Sequence, residues 1–517
     1  MFDFVRMVAL GLLGFALPGG SLAGESVFLS RPPDSAAIEL RAPSFAVHAD
    51  GVGDDAPALQ AAIDAVHAQP GHRGVLFVPP GTYRLGTTVN VWRGVRIIGY
   101  GATRPVFLLG AATPGFQGEA ARAVLYFAFD PPTPEQPLRE GGASGFFAAL
   151  SNVDLEIAPG NPSAVGVRFH VAQHSFLAHV DFRLGDAHAG VEDVGNLMRD
   201  VRFFGGDYGI LATRTAPTWP FVVLDSEFSG QRIAAIRTEE AGLTMVRARF
   251  RDVPRAIEIN AERPEQLWLS DAHFERITGP AIMVSDSANP QSQINLQNVA
   301  CAEVPVVLEL RESGQRVTAL GGVYVVQQLS HGFQRIAGGA AAEIRTTHEL
   351  AVTAALPNPV PSDVASLPAV GTWVDARTLG VRGDGVTDDT VRLQQALRDH
   401  RTVFLPAGKY LLTDTLHLGA DNVLVGLNPA STVLLASSVA TAFGGGGPVR
   451  PRRVGGRSFP ASGSTRAFCR RSAGSNGGRA RRRCWTTCVS SRCIRREASG
   501  RRRKPGRCGT CRGIHCG

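Results

Sequence analysis

The chain has 517 residues, 44% of them hydrophobic, enough for large cores and more than one domain. Its formal net charge of +8 joins two unlike pieces: residues 449–517 hold 19 Arg, one Lys and one Glu, so the remainder carries 33 basic against 44 acidic residues. An acidic body does not suggest nucleic-acid binding, which favours a basic stripe on the folded domain.

Residues 1–23 read as an export signal. Arg6 sits in a short front region, Val8 to Leu17 is apolar, and Ser21-Leu22-Ala23 is a small-x-small cleavage site. The apolar run is too short to span a bilayer. The expected product is secreted or periplasmic, with no membrane contact after cleavage.

The next segment occurs twice. Gly51-Val-Gly-Asp54-Asp55 leads into a helical pattern from Pro57 to Val66 and then into Gly74-Val-Leu-Phe-Val-Pro-Pro-Gly81-Thr-Tyr83. From Gly383-Asp-Gly385-Val-Thr-Asp388-Asp389 the same order returns, 334 residues on, through a second helix to Pro406-Ala-Gly408-Lys-Tyr410. Each Asp pair precedes a helix and is expected to cap its N-terminus, not to catalyse. Each helix can then cover the open end of a stack of coils.

Between the copies, residues 148–308 repeat loosely. Leu155, Phe182, Phe203, Phe228, Phe250 and Phe274 follow at steps of 27, 21, 25, 22 and 24 residues. A second series, Val167, Val191, Ile210, Ile236, Ile257 and Ile282, steps by 24, 19, 26, 21 and 25, usually just after a small residue. Short strands joined by Gly, Asp, Asn and Pro turns, repeated at this period, cannot bury their apolar faces singly. Stacked, they give an all-β, right-handed parallel β-helix over residues 45–340 with the five Phe rings inside. Cys301, alone in the body, is expected to be a small buried hydrophobe.

Residues 341–372, rich in Ala, Thr and Pro, read as an extended connector along a surface. Residues 373–443 begin a second helix of the same kind. After the four glycines Gly444 to Gly447 the periodicity stops, and 444–517 become Arg- and Cys-rich. Three readings are open: a reading-frame change at a G-rich tract, which is favoured; a basic tail; or a small disulfide or metal domain. Cys484-x-x-x-Cys488 and Cys508-x-x-Cys511 have ligand spacing, but few apolar residues support a fold.

The two openings, with Gly383-Asp-Gly-Val-Thr-Asp-Asp-Thr390 the sharper, resemble those of the pectate-lyase-like superfamily. Two of them in one chain, with Val167-Arg-Phe-His170-Val-Ala-Gln173 and Gly205-Gly-Asp207-Tyr208-Gly209 between, are most similar to the tandem β-helix glycoside hydrolases of family 55, of β-1,3-glucanase type. The resemblance covers roughly residues 45–440. It implies a polysaccharide in the cleft between two helices, inverting hydrolysis, and a general acid from the second helix. No residue here can be matched to that acid, so the catalytic groups are unknown. His170 and Gln173 are candidate substrate contacts, Gln173 offering both a donor and acceptors to hydroxyls. Asp207 is placed to hold a hydroxyl pair and Tyr208 to cover a sugar face. Glu192, Asp193, Glu239 and Glu240 are further carboxylates on nearby coils. No metal site or cofactor is expected. A noncatalytic glycan-binding or surface-structural β-helix, and a pectin-type lyase or hydrolase, are the competing readings.

Overall fold

The computed structural model describes residues 25–451, apart from 72, 194, 215–219, 336–341, 438–442 and 444–446, together with residues 468–471. The expected export segment and nearly all of the Arg/Cys-rich segment lie outside the described residues.

The body is a parallel β-helix. One wall is a ten-stranded sheet running from Val89–Trp92 through Ala164–Arg168, Ala189–Glu192, Tyr208–Leu211, Ala234–Thr238, Ile257–Ile259 and Pro280–Val284 to Val306–Leu310, with Arg316–Thr318 closing it antiparallel. The remainder of each coil is a broad sheet bent at a corner. Asn152, His179, Asp200, Asp225, Arg247, Asp271 and Asn298 occupy that corner, all with φ between 50° and 57°. Non-glycine residues rarely adopt this left-handed conformation. Here neighbouring corners bond to one another: His179 Nδ1 to Asp200 at 2.7 Å, and Asn298 Nδ2 to Asp271 at 2.7 Å.

The expected ladders are present residue for residue. Leu155, Phe182, Phe203, Phe228, Phe250, Phe274 and Cys301 pair in register on successive strands. The rings of Phe182, Phe203, Phe228 and Phe250 stack at 4.9 Å, all fully buried. The second series pairs likewise from Val167 to Ile282. The small residues before it also have a reason. A Cβ at Gly190 would meet Phe203 at 2.6 Å, and one at Gly209 would meet Phe228 at 2.7 Å. A glycine on one wall therefore makes room for a ring on the other.

Helix α1 (Ala56–His67) covers the first end and α2 (Thr390–Asp399) covers the second module. The Asp pairs divide the work differently from simple caps. Asp54 Oδ1 accepts the N–H of Ala56 at 3.1 Å, and Asp388 Oδ1 that of Thr390 at 3.0 Å. Asp55 and Asp389, at the cap positions, are fully buried and make no side-chain bond to their helices. They point back: Asp55 takes the N–H groups of His48 and Ala49 at 2.6 and 3.0 Å, and Asp389 those of Arg382 and Gly383 at 2.8 and 2.9 Å. The preceding turn has unpaired donors that buried carboxylates satisfy at less cost than the helix, whose end is partly wet. Each unit is finished by a tyrosine hydroxyl, Tyr83 to Pro79 O at 2.9 Å and Tyr410 to Pro406 O at 2.7 Å.

The second module lies against the first. Phe28, Val75, Phe77 and Ile98 pack with Trp373, Phe404, Val425 and Leu427. Arg96, 3% exposed, donates to Leu427 O at 2.8 Å, His174 O at 2.9 Å and Phe147 O at 3.2 Å. Asn428 Nδ2 reaches back to Gly74 O and Gly94 O at 3.2 and 3.1 Å. Beyond the second coil, short strands Val449–Pro451 and 468–471 continue the pairing.

The far end of the body closes with Val323–Arg335 antiparallel to Gln293–Ala302, and Ala342–Val352 antiparallel to that. The start of the expected connector is thus a strand. From 353 the chain runs back exposed, touching the body where Ser362 Oγ donates to Asp225 at 2.8 Å and Asp363 pairs with Arg247 at 3.1 Å.

Candidate functional site

The outer face of the ten-stranded sheet carries one row in register: Tyr126, Arg168, Glu192, Leu211, Arg237, Glu258. At its upper end Arg168 gathers three carboxylates. Its Nη1 lies 3.3 Å from Glu192 Oε2, its Nη2 3.1 Å from Asp193 Oδ2 and its Nε 3.6 Å from Glu140 Oε2. Arg214 bridges Glu140 and Asp193 from the other side. Asp193 is fully buried and also accepts the backbone N–H and hydroxyl of Thr213 at 3.0 and 2.8 Å.

His170 Nδ1 stands 3.3 Å from Glu140 Oε1. The His170 ring beside it, working against partial burial, holds the Glu140 carboxyl below its usual range. Glu192 moves the other way: burial raises it and outweighs Arg168. One guanidinium thus holds a carboxylate kept ionised and another more easily protonated, the divergence that acid–base work uses.

His170 and Gln173 lie on the loop that leaves this wall for the broad sheet. That loop packs on a glycine-rich segment: Gly142 N–H donates to His170 O at 2.8 Å, and Ala172 N–H to Gly145 O at 3.1 Å. Gln173 Oε1 and His170 Nε2 are buried atoms without a hydrogen-bond partner. Phe147 and His174, beside them, hold φ at 66° and 65° with their rings stacked at 5.1 Å. Two bulky residues in the left-handed region mark stored strain. Arg96 ties both to the second module through the carbonyls named above.

Asp207 and Tyr208 are not part of this gathering. Asp207 is paired with Arg232 at 2.8 Å. Tyr208 is only 4% exposed, with the Arg237 guanidinium 5.0 Å over its ring and His188 at its edge. Its ring is a packed surface and not an open platform for a sugar, because it lies against Val165, Ala189 and Ala234. Glu239 and Glu240 pair with Arg263 at 2.7 and 3.7 Å on a separate turn. Glu140 has no signal in the repeat pattern and reaches the cluster from the segment between two coils. Arg168 was within the quoted motif, but only the register shows what it holds. A cavity of about 420 Å³, lined by Pro368, Thr372, Asp399 and Arg401 among others, lies elsewhere, between the connector and the end of α2.

The profile of one family, described as Rhamnogalacturonase A/epimerase, pectate lyase-like, matches residues 42–258 and 373–472, more than half of the chain. A glucan 1,3-beta-glucosidase of Cochliobolus carbonum is 22% identical over 82% of this chain and 56% of its own length. A non-secreted LysM effector, LysM19, of Penicillium expansum is 21% identical over 74% of this chain and 32% of its own. The chain therefore spans about a half and about a third of these relatives. Among solved structures, an iota-carrageenase of family GH82 from A. fortis is 12% identical with a TM-score of 0.35, covering 50% of this chain and 59% of that one.

Proposed function

We propose a function from one premise: the chain belongs to the rhamnogalacturonase A/epimerase, pectate lyase-like family. It is a carbohydrate-active β-helix, secreted or periplasmic, that holds a polysaccharide across the upper end of its ten-stranded wall. In its intact form it hydrolyses a β-glucan or a related polymer. The observation that carries this reading is the gathering of His170, Glu140, Glu192 and Asp193 about Arg168 within the family-matched residues, with Gln173 on the same loop as His170. Carboxylates, a histidine and an amide on neighbouring loops are groups to which sugar hydroxyls bond. The similarity to a glucan 1,3-beta-glucosidase supports the choice of β-glucan. Hydrolysis then needs a carboxylic acid at the glycosidic oxygen. A pectin-type lyase or hydrolase is the second reading, favoured by the family's own description.

The test is turnover and binding on laminarin, pectin and rhamnogalacturonan, with this chain and with a form whose frame is restored at the four-glycine tract. An α-anomer released from laminarin supports inverting hydrolysis of a β-linkage. Unsaturated products from pectin move the assignment to a lyase. Binding without turnover by the restored form leaves a glycan-binding protein. Gln173→Ala is expected to weaken substrate handling several-fold, and an unchanged rate removes that residue from the site.

A further inference from the structure

Lower on the same wall the balance of charge reverses. Glu258, its side chain 8% exposed, receives three guanidiniums: Arg237 at 3.2 Å and Arg255 at 3.5 Å on Oε2, and Arg311 at 3.2 Å on Oε1. Elsewhere among the described clusters carboxylates match guanidiniums far more closely. Arg168 and Arg214 face three carboxylates, Arg263 faces two, and Arg104, Arg183 and Arg202 share Asp154 and Asp181. Around Glu258 two positive charges are left over. Of the nearby acids, Asp207 is taken by Arg232 and Glu309 by Arg316 at 2.8 Å, while Glu312, next to Arg311, is held by the Ser285 and Ser287 hydroxyls at 2.8 and 3.0 Å.

The three arginines are also fixed. Arg237 lies over the buried Tyr208 ring, Arg311 donates to Ile259 O at 3.0 Å, and Arg255 reaches Glu258 from three residues away. The side chains remain 32%, 34% and 36% exposed. A buried carboxylate thus orders three partly exposed guanidiniums, with the Nε of Arg237 and of Arg255 buried and unpartnered, and forked guanidinium donors suit planar and tetrahedral anions. From Arg168 to Arg237 is three strands, about 14 Å at the usual strand spacing.

We propose that Arg237, Arg255 and Arg311 form a subsite for an anionic substituent on a glycan, a hexuronate carboxylate or a sulfate ester. It rests on the carbohydrate reading above and, within it, favours an acidic polymer of the pectin-type alternative over a neutral β-glucan, the charge being met some coils from the His170 end. One polymer lying along the wall meets a carboxylate-rich end and a guanidinium-rich end, which fixes its direction.

The experiment measures binding of length-matched oligogalacturonate, laminari-oligosaccharide, a sulfated galactan oligosaccharide and poly-glutamate to the full chain and to Arg255→Gln/Arg311→Gln. Comparing variants cancels the Arg-rich 449–517 segment, which both carry. Arg276→Gln, which breaks an exposed pairing with Asp252 and Glu275, is the control. The double variant is expected to lose at least tenfold for oligogalacturonate or for the sulfated oligosaccharide, whichever the wild type prefers. That preference identifies the substituent. Laminari-oligosaccharide binding and the control variant are expected to stay unchanged, with circular dichroism and melting confirming the fold. Equal binding of acidic oligosaccharides by wild type and double variant overturns the subsite. So does an equal loss for poly-glutamate, which would mark a general polyanion patch. Failure of the wild type to hold any of the oligosaccharides, neutral or acidic, overturns the carbohydrate reading itself.

Discussion

Asp55 and Asp389 hold equivalent turns by equivalent bonds, and Tyr83 and Tyr410 close equivalent loops, yet what stands beneath the two caps differs. Under α1 a continuous core runs from Leu40 to Leu329 through every coil. Under α2 the core among the described residues is thirteen side chains from Ala376 to Phe443, and the coil strands at 402–404 and 423–425 turn Phe404 and Val425 outward onto Phe77 and Ile98 of the first module. The cap is a local device, complete within some 40 residues of sequence. Independence comes from stack depth, because each coil buries its face only on the next. The second module therefore draws part of its stability from the flank of the first.

Deleting one rung tests this most severely. Phe228→Ala, between Phe203 and Phe250, is expected to cost about 3–5 kcal/mol, seen in denaturant unfolding. It should pull down both modules together. Leu434→Ala, in the smaller core, should lower the second module's transition and leave the first in place. Equal movement of both transitions by Leu434→Ala would break the comparison. Next in size, Arg96→Met leaves one buried and two half-buried carbonyls unpaired at the junction, at about 2–3 kcal/mol. Hydrogen exchange should speed up in 426–431 and in 141–147 and 173–176, and not in the coils around Phe250. The paired substitutions Asp55→Ala and Asp389→Ala should each cost about 1–3 kcal/mol through orphaned backbone donors. The second should also free the module from the flank, read as faster proteolysis near 373–443.

The smallest effect separates the two Asx turns. Asp384 accepts the N–H groups of Val386 and Thr387 and the Thr387 hydroxyl, which hold its carboxyl down at about 2. Asp50 accepts only Val52 and Gly53 N–H, and is lowered too. A depressed carboxyl contributes stability that is present above its unfolded value, near 3.9, and is lost as pH falls through the folded one. The Asp384 contribution should therefore disappear between about pH 4 and pH 2. Thr387→Ala should raise the Asp384 midpoint in an NMR titration, and no change would remove the hydroxyl from the account.

The Phe ladder, the second aliphatic ladder and the duplicated caps could be read directly, because stacking makes sequence period and spatial neighbourhood the same thing. Cys301 could be read too: it ends the Phe series, buried against Tyr324. The direction of the Asp55 and Asp389 side chains could not, since a cap position and a backward-facing brace share one sequence pattern. Glu140 was hidden for a different reason. It belongs to no repeat, and it meets Arg168 only because a segment of uneven length crosses between coils. His170 and Gln173 are candidates through the motif at 167–173 alone. Tyr208 looked like a surface aromatic because its strand faces outward, but the Arg237 side chain lies across it.

The antiparallel pair Val323–Arg335 and Ala342–Val352 has a consequence for assembly. A parallel stack ends on a strand whose open donors and acceptors would accept another coil, from this chain or from any other copy, without limit. Reversing direction twice replaces that template with a strand whose outward positions include Glu343, Arg345, His348 and Glu349. A copy approaching this end meets charged side chains and hydrogen-bonding groups spaced for the wrong polarity. With α1 shielding the other end, a shape built by repetition is kept from continuing into a fibre.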